Sequence, residues 1–172
     1  MSFLNPSEIL EKLKIKDAAA AADFGSGSGG WVLPLSKRID RGKIYAIDIA
    51  PNALSVLEAK AKSERIFNIQ TINSDVERDK GSTLASNSLD LVLMTNLLFE
   101  ADDPEKILKE GSRTLKEGGE VLVVDWKKEP AMGPEEKRLA AEEVKEMAKK
   151  AGLNFEKEIS AGDYHYALLF SK

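Results

Sequence analysis

Cysteine is absent from this sequence of 172 residues. Its absence excludes a disulfide scaffold and any metal site built from thiolates, and we predict no metal site. No apolar run approaches the roughly 18–20 residues that a membrane span needs, so we expect no membrane-spanning segment. The first residues, Met1 to Pro6, contain neither the basic region nor the apolar region of a secretory signal. Together these absences favour a cytoplasmic protein.

The sequence also lacks an excess of positive charge. It has 25 Lys and Arg against 29 Asp and Glu, which gives a formal net charge of -4. Proteins whose main partner is nucleic acid bind phosphates through clustered Lys and Arg, so we expect no nucleic-acid partner. Apolar residues make up 42% and charged residues 31%, as in ordinary globular proteins, and the length predicts a single domain over residues 1–172.

Strand-like and helix-like segments alternate along most of the chain, which predicts an α/β fold with a parallel sheet. The first predicted strand contains five consecutive alanines, which are poor strand formers. A buried central strand under a closely packed helix would tolerate them. The predicted strands are Ala18–Phe24, Lys43–Ile49, a part of Ile66–Ile72, Leu89–Thr95 and Glu120–Asp125. The first predicted helix begins near Pro6. The other predicted helices cover Trp31–Ile39, Pro51–Ser63 and Pro104–Leu115, and a last one runs to Ala151 from either Glu135 or Glu142.

The last two predicted strands break this alternation. Asn154–Ser160 and Tyr164–Phe170 are separated only by Ala161-Gly162-Asp163. So short a connection requires an antiparallel hairpin, because a parallel crossover needs a dozen or more residues. The sequence therefore predicts five alternating β/α units that are followed by a closing hairpin.

A glycine cluster, Gly25-Ser26-Gly27-Ser28-Gly29-Gly30, lies between the first predicted strand and the helix after it. Glycines there permit positive φ angles and a close approach of a ligand to the backbone. Asp48 ends the next strand, where an acid can accept hydrogen bonds from ribose hydroxyls or can simply cap the following helix. The pattern Gly25-x-Gly27-x-x-Gly30 also fits the dinucleotide fingerprint of nicotinamide-dependent oxidoreductases.

Asp23, two residues before the first glycine, indicates whether the loop binds a dinucleotide or a nucleoside without phosphates. A carboxylate so close to the loop would repel the pyrophosphate of a dinucleotide. A nucleoside that carries an ammonium and a sulfonium instead of phosphates would be attracted. The sequence therefore favours S-adenosylmethionine over NAD or NADP.

Several segments resemble the motifs of class I S-adenosylmethionine-dependent methyltransferases. Asp23-x-Gly25-x-Gly27-x-Gly29 resembles their first motif, and Asp48 matches their ribose-binding acid. The resemblance covers nearly the whole chain and is closest to the group of ubiquinone and menaquinone biosynthesis methyltransferases, the methyltransferase type 11 group. Three later segments add to it: Asn73-Ser74-Asp75-Val76 after the third strand, Ser88-Leu89-Asp90-Leu91-Val92 in the fourth, and Leu115-Lys116-Glu117-Gly118-Gly119-Glu120-Val121 before the fifth, with Glu117 in place of the usual proline.

This resemblance implies a Rossmann-like, doubly wound sheet of seven strands, mostly parallel with an antiparallel C-terminal hairpin. It implies S-adenosylmethionine as cofactor, S-adenosylhomocysteine as product and methyl transfer by direct displacement. It identifies no catalytic residue, and the absence of cysteine disfavours arsenite as the acceptor. The cofactor-binding residues that it implies are Asp23, Gly25, Ser26, Gly27, Gly29, Asp48, Ile49, Asp75, Val76 and Asn96.

Other conspicuous residues have two interpretations each. Trp31 either shields the methionyl end of the cofactor or packs the first helix after the loop, and Trp126 either lines an acceptor pocket or packs. Glu100, like Asn96, lies either near the transferred methyl group or in a structural loop. His165, the single histidine, is either a catalytic base or a surface or hydrogen-bonded strand residue.

The methyl acceptor stays open at this point. A small molecule, a quinone-like compound and a protein side chain all fit, because the connection from Lys127 to Arg138 is the only sizeable insertion near the predicted site. A catalytically silent cofactor-binding partner subunit is the main alternative function, and an NAD(P)-binding oxidoreductase is the lesser one. The sequence does not determine the oligomeric state.

Overall fold

The computed structural model of the chain describes residues 3–129, 133–134 and 137–172. In these residues one seven-stranded sheet has the order β3-β2-β1-β4-β5-β7-β6. The first five strands pair in parallel, whereas β7 is antiparallel to both β5 and β6. The strands are β1 (Ala20–Phe24), β2 (Lys43–Asp48), β3 (Ile69–Asn73), β4 (Leu89–Thr95), β5 (Leu115–Trp126), β6 (Asn154–Ser160) and β7 (His165–Ser171).

Helices cover both faces of the sheet: α1 (Pro6–Glu11), α2 (Val32–Ser36), α3 (Pro51–Ser63), α4 (Pro104–Thr114) and α5 (Ala141–Lys150). One apolar cluster joins α1, α2 and α3 to the sheet, and a second joins α4 and α5 to its other face. This is the Rossmann-like, doubly wound α/β fold that the sequence predicts. None of these helices is both long enough and apolar enough to cross a membrane.

The alanine run forms the centre of the sheet. β1 lies between β2 and β4, and the side chains of Ala21 and Ala22 are fully buried on opposite faces. Ala21 packs in the cluster that contains Val32 and Leu35 of α2. Small side chains leave room for helices to approach closely, which offsets the poor strand propensity of alanine.

Strand β5 begins earlier than the sequence predicts. The pair Gly118-Gly119 was expected to separate a helix ending at Leu115 from a strand beginning at Glu120, but α4 ends at Thr114 and β5 starts at Leu115. The backbone hydrogen bonds of these glycines with Lys172 continue the pairing toward the end of β7. Gly118 has a φ of 74°, so the strand passes through an irregular backbone conformation that glycine permits.

Other boundaries differ by a few residues. Helix α2 is shorter than Trp31–Ile39, although the amides of Arg38 and Ile39 still bond to the carbonyl of Leu35 in a terminal turn. Strand β7 begins at His165 rather than at Tyr164. The helix start that the sequence proposed at Glu135 lies outside the described residues, whereas the alternative start at Glu142 is within one residue of α5.

Candidate functional site

The carboxyl ends of β1, β2, β3 and β4 lie at one edge of the sheet. The strand order reverses between β1 and β4, because β2 and β3 lie on one side of β1 while β4 and β5 lie on the other. Ligands of open α/β sheets bind outside the carboxyl ends of the strands at such a reversal. The candidate site therefore lies where β1 leads into the glycine loop.

The glycine loop turns back over the end of β2. The amides of Gly25 and Ser26 donate to the carbonyl of Ile47 at 2.8 and 3.0 Å. Gly25, Gly27 and Gly29 all have positive φ angles, of 70°, 52° and 94°. A Cβ atom on Gly29 would lie 2.4 Å from Leu57 Cδ1, whereas one on Gly27 would meet no atom within 4 Å. Gly27 thus presents its backbone to open space, as a loop that lies against a ligand must.

Asp48 fixes this loop to β2. Its Oδ2 accepts a hydrogen bond from the amide of Gly27 at 2.8 Å, and its Oδ1 accepts one from the amide of Ala50 at 2.8 Å. The second bond orders the turn that enters α3, but the N-cap of α3 is Ala50, so Asp48 does not cap this helix as the alternative interpretation proposed. Each carboxylate oxygen has a second lone pair, so both bonds leave acceptor capacity toward the cleft.

A cleft of about 190 Å³ opens beside the loop. It contains six of the ten residues that the resemblance implied, namely Gly25, Asp48, Ile49, Asp75, Val76 and Asn96. Ile49 is 71% exposed at its wall, an unusual exposure for isoleucine that suits a flat apolar ligand surface. Seven further residues complete the lining: Ile47, Ser74, Glu77, Leu97, Glu100, Ala101 and Ile107.

The charged residues in this lining all carry negative charge: Asp48, Asp75, Glu77 and Glu100. Lysine and arginine do not occur in the described lining of the cleft. A pyrophosphate would be repelled here, whereas a cationic nucleoside would be attracted. The lining therefore agrees with the distinction that Asp23 suggests in the sequence.

Asp23 is the fourth residue of β1, two residues before Gly25 of the cleft lining, and is not itself part of that lining. Its carboxylate is fully buried, and neither oxygen has a hydrogen-bond partner. Burial, together with the nearby negative charge of Asp48, holds the pKa of Asp23 well above its ordinary range. A buried carboxylate without a partner is costly, and a cation that reaches it would remove that cost.

Unpartnered buried side-chain atoms gather at this edge of the sheet. In the described residues they belong to Asp23 at the end of β1, Ser26 in the loop, Asn96 after β4, and His165 and Tyr166 at the start of β7. The first two residues of β7 pair with the last two of β5, so they lie at the same edge. Folded proteins partner nearly all of their buried polar groups, and exceptions call for an explanation such as a ligand.

Two of the implied residues have local structural roles as well. Asp75 accepts a hydrogen bond from the amide of Glu77 at 2.9 Å and lies 3.3 Å from Arg78 Nε. Asn96 has a φ of 50°, and its amide donates to the carbonyl of Val124 at 2.7 Å, which fixes the loop after β4 to β5. Both residues still line the cleft.

The structure distinguishes between some of the paired interpretations. Trp31 is 6% exposed and packs in the apolar cluster with α2, in agreement with the packing interpretation. Trp126 is half-buried, and its ring lies 4.0 Å from that of His165. His165 is 6% exposed and its Nε2 has no partner, so it is neither a surface residue nor a fully hydrogen-bonded one.

Two acidic residues of this region were missed by the sequence reasoning. Glu77 accepts hydrogen bonds from the amides of Asp102 and Asp103 at 3.2 and 2.8 Å, which fixes one wall of the cleft to the start of α4. Asp125 accepts bonds from the amides of Phe99 and Trp126, and burial raises its pKa to about 6. The signal for Asp125 is its position, since it stands near the carboxyl end of a strand at the ligand-binding edge.

Comparison with known proteins gives the family. A family described as "Methyltransferase domain", of type 11, matches residues 22–123. Demethylmenaquinone methyltransferase from Geobacillus sp. is 24% identical over 127 residues, which cover 73% of this chain and 53% of that protein. The same enzyme from Lactococcus lactis is 30% identical over 104 residues, 60% of this chain and 40% of its own. The crystal structure of an S-adenosylmethionine-dependent methyltransferase from Aquifex aeolicus superimposes with a TM-score of 0.88 at 26% identity, covering 98% of this chain and 89% of the other.

The chain therefore belongs to the methyltransferase domain family. Its domain is of the type 11 group, and its fold is that of class I S-adenosylmethionine-dependent methyltransferases. It spans about half the length of the curated relatives that it matches, 53% in the Geobacillus protein.

Proposed function

We propose that this chain transfers a methyl group from S-adenosylmethionine to an acceptor that binds at the carboxyl edge of the sheet. The observation that carries the proposal is the buried carboxyl group of Asp23, without a partner, directly before a loop that borders a cleft whose charged residues are all acidic. This arrangement suits a ligand with two positive charges and no phosphate.

Each implied residue has a position that fits a role in holding the cofactor. Asp23 would face the cationic amino-acid end, and the backbone of the loop from Gly25 to Gly29, with Ser26 Oγ, would lie against it. Asp48 would bind the ribose. Ile49, Asp75 and Val76 would frame the adenine, while Asn96 would adjoin the methionyl part from the end of β4.

The cofactor, when bound, supplies the methyl group and a neutral thioether leaving group. The protein contributes alignment and exclusion of water, and favourable alignment alone can account for about 7–11 kcal/mol of a reaction barrier. Asp23 suits the alignment of the cofactor, because a buried carboxyl group whose negative charge is stabilised only by a bound cation would fix the amino-acid end in one position.

Among acceptors, a quinone-like small molecule is favoured. The matched relatives are demethylmenaquinone methyltransferases, and the family match over residues 22–123 includes the loop and the residues that line the cleft. We take the acceptor to enter on the side of β5 and β7, because the cleft beside β1, β2 and β3 is suited to the nucleoside.

Isothermal titration calorimetry with S-adenosylmethionine and S-adenosylhomocysteine tests the cofactor, with NAD and NADP as controls. We expect micromolar binding of the two sulfur nucleotides and none of the dinucleotides. Binding of NAD or NADP in preference, or no binding of the sulfur nucleotides, would overturn the proposal.

A second experiment tests turnover. Methyl-labelled S-adenosylmethionine is incubated with the protein and a quinone-containing lipid extract, which is reduced in one arm and oxidised in the other. Label in the lipid fraction supports a quinone-like acceptor, and the Asp23→Asn variant should reduce it. Cofactor binding without label in lipid, protein or small-molecule fractions would instead indicate a silent binding subunit.

A further inference from the structure

The end of β5 and the start of β7 form a second group of unusual residues, beyond the nucleoside cleft. Trp126 and His165 are paired in the strand register, and their ring centroids are 4.0 Å apart. Neither residue lines the nucleoside cleft. The region lies at the same edge of the sheet, two strand spacings from β4, which corresponds to about 10 Å.

Both rings lie on the face of the sheet toward which Asp23 points. Side chains alternate along a strand, and the cluster with α1 and α2 contains Val124 of β5 and Ala167 of β7. Trp126 and His165 are two residues away from these and so share their face. The same cluster contains Ala21 of β1, two residues before Asp23. Asp23, Trp126 and His165 therefore face one region above the carboxyl edge.

His165 is buried, and its Nε2 has no hydrogen-bond partner. Leaving such an atom unbonded is costly, and a ligand that donates a hydrogen bond would recover that cost. Burial, and the positive charge of Lys127, lower the pKa of His165 below its ordinary value. The ring is therefore neutral at pH 7, and a neutral imidazole has one nitrogen that can accept a proton.

Aromatic rings lie near His165, which follows Tyr164 in the chain and pairs with Trp126. The ring of Tyr164 lies 6.1 Å from that of Phe3, whose side chain is 64% exposed. On the other side the backbone of Gly133 packs against Trp126, since a Cβ atom there would lie 2.6 Å from the indole ring. Aromatic rings stack well on other aromatic rings, so this wall suits a planar acceptor.

We propose that Trp126 and His165 form the acceptor site, that it takes a planar aromatic compound with a hydroxyl group, and that Nε2 of His165 accepts the proton of that hydroxyl. The proposal rests on the proposed methyltransferase function. In the step, the acceptor oxygen forms a bond to the methyl carbon while the carbon–sulfur bond breaks and its electron pair stays on sulfur. The hydroxyl proton moves to His165, which releases it to solvent after the product leaves. The products are an aryl methyl ether, S-adenosylhomocysteine and one proton.

Nuclear magnetic resonance can test the contact directly, because His165 is the only histidine of the chain. The protein is labelled with ¹⁵N-histidine, saturated with S-adenosylhomocysteine, and titrated with 2-naphthol or with 2-methoxynaphthalene. The two probes have the same rings, but only 2-naphthol can donate a hydrogen bond. We expect a saturable shift of the Nε2 resonance with 2-naphthol and a much smaller one with 2-methoxynaphthalene. Equal shifts, or none, would overturn the proposal.

Transfer of labelled methyl to 2-naphthol provides the second readout. His165→Gln should lower kcat at least tenfold and remove the limb of the pH profile that the imidazole produces. Tyr166→Phe is the matched control, since it removes an unpartnered buried hydroxyl from the neighbouring residue of β7 on the opposite face. An unchanged rate in His165→Gln, or an equal loss in both variants, would contradict the assignment.

Calorimetry separates this inference from the proposed function. Both variants should bind S-adenosylmethionine as the unchanged protein does, because neither residue lines the nucleoside cleft. Failure of the unchanged protein to bind the cofactor would refute the proposed function. Normal cofactor binding with no effect of 2-naphthol on His165 would refute only the acceptor site.

Discussion

The carboxylate of Asp48 accepts a hydrogen bond from the backbone amide of Gly27 at 2.8 Å. The residue that ends β2 thus fixes the loop that follows β1, and the neighbouring strands position one site together. Asp48 is predicted to bind the ribose as well, so its removal affects the ligand both directly and through the loop.

We expect Asp48→Ala to weaken the binding of S-adenosylmethionine by tenfold or more, about 1.4 kcal/mol or above. Asp90→Ala is the matched control, because Asp90 also accepts a bond from a backbone amide near β1, that of Ala20 at 2.8 Å, but at the opposite edge of the sheet. The control should lose stability and keep its affinity. Calorimetry measures the affinities, and an equal affinity in the two variants would remove Asp48 from the cofactor site.

Asp23→Asn should affect stability and binding in opposite directions. Because the pKa of Asp23 is raised in the folded state, the folded protein retains a proton that the unfolded chain releases above about pH 4. Ionisation of Asp23 therefore opposes folding, and its contribution to stability falls as the pH rises above that value. The variant removes this loss and should be at least as stable as the unchanged protein at pH 7.

The same variant should bind S-adenosylmethionine more weakly, because the buried negative charge is absent. Urea denaturation at several pH values gives the difference in stability between the two proteins, and calorimetry gives their affinities. A variant that is less stable at pH 7 and binds the cofactor normally would show that Asp23 has a structural role only.

Gly27→Ala and Gly29→Ala compare two positions of one loop. Both glycines have positive φ, which costs other residues about 1–2 kcal/mol. A methyl group on Gly29 would in addition press on Leu57 at 2.4 Å, so that variant should be the less stable one. A methyl group on Gly27 projects into open space, so we expect this variant to lose more affinity for the cofactor than its small loss of stability explains. A Gly27→Ala variant that binds the cofactor more tightly than Gly29→Ala does would place the ligand elsewhere.

Glu110→Ala should destabilise the fold without a direct effect on the cofactor. Glu110 is 5% exposed and its Oε1 lies 2.7 Å from Nη2 of Arg113, and it also accepts a bond from the amide of Ser82 at 2.9 Å. Removal of one member of a fully buried ion pair costs about 3–5 kcal/mol, and the cost here should be lower because Arg113 is 23% exposed. Glu105→Ala, on the same helix, breaks a more exposed pair with Lys150 and should cost under about 1 kcal/mol.

The pH dependence of this pair has the opposite sign from that of Asp23. Burial alone would raise the pKa of Glu110, but the bonds from Arg113 and Ser82 outweigh it and lower the pKa. The stabilisation by Glu110 is therefore present above the ordinary pKa of glutamate and is lost as the pH falls below it. Urea denaturation between pH 3 and 7 would show this as a difference between the unchanged protein and Glu110→Ala that grows with pH.

Sequence reasoning predicted the fold and the position of the cleft because both depend on local patterns. Alternation of strands and helices determines a parallel sheet, and the short turn at 161–163 requires a hairpin. Residues at strand ends, such as Asp48, reach the ligand-binding edge in any such sheet. The bounds of α3, β4 and β6 are the same in the prediction and in the structure.

The remaining features depend on contacts between distant parts of the chain. Alternation placed His165 on one face of its strand but could not show that other segments bury it. The pair Gly118-Gly119 is typical of a turn between a helix and a strand. Only its hydrogen bonds to Lys172 show that the strand pairing includes it. The side-chain carboxylates of Glu77 and Asp125 likewise accept hydrogen bonds from amides more than twenty residues away in the chain, and no local sequence pattern indicates such partners.

The reversed direction of β7 means that its first residue, rather than its last, reaches the edge where the glycine loop lies. The turn at 161–163 therefore adjoins the proposed acceptor wall, although the cofactor loop belongs to the opposite part of the chain. On the proposed assignments, retention of the cofactor and choice of acceptor would be encoded in segments that can change independently. Lengthening this one turn would offer a lineage a way to acquire new substrates while the nucleoside cleft stays as it is.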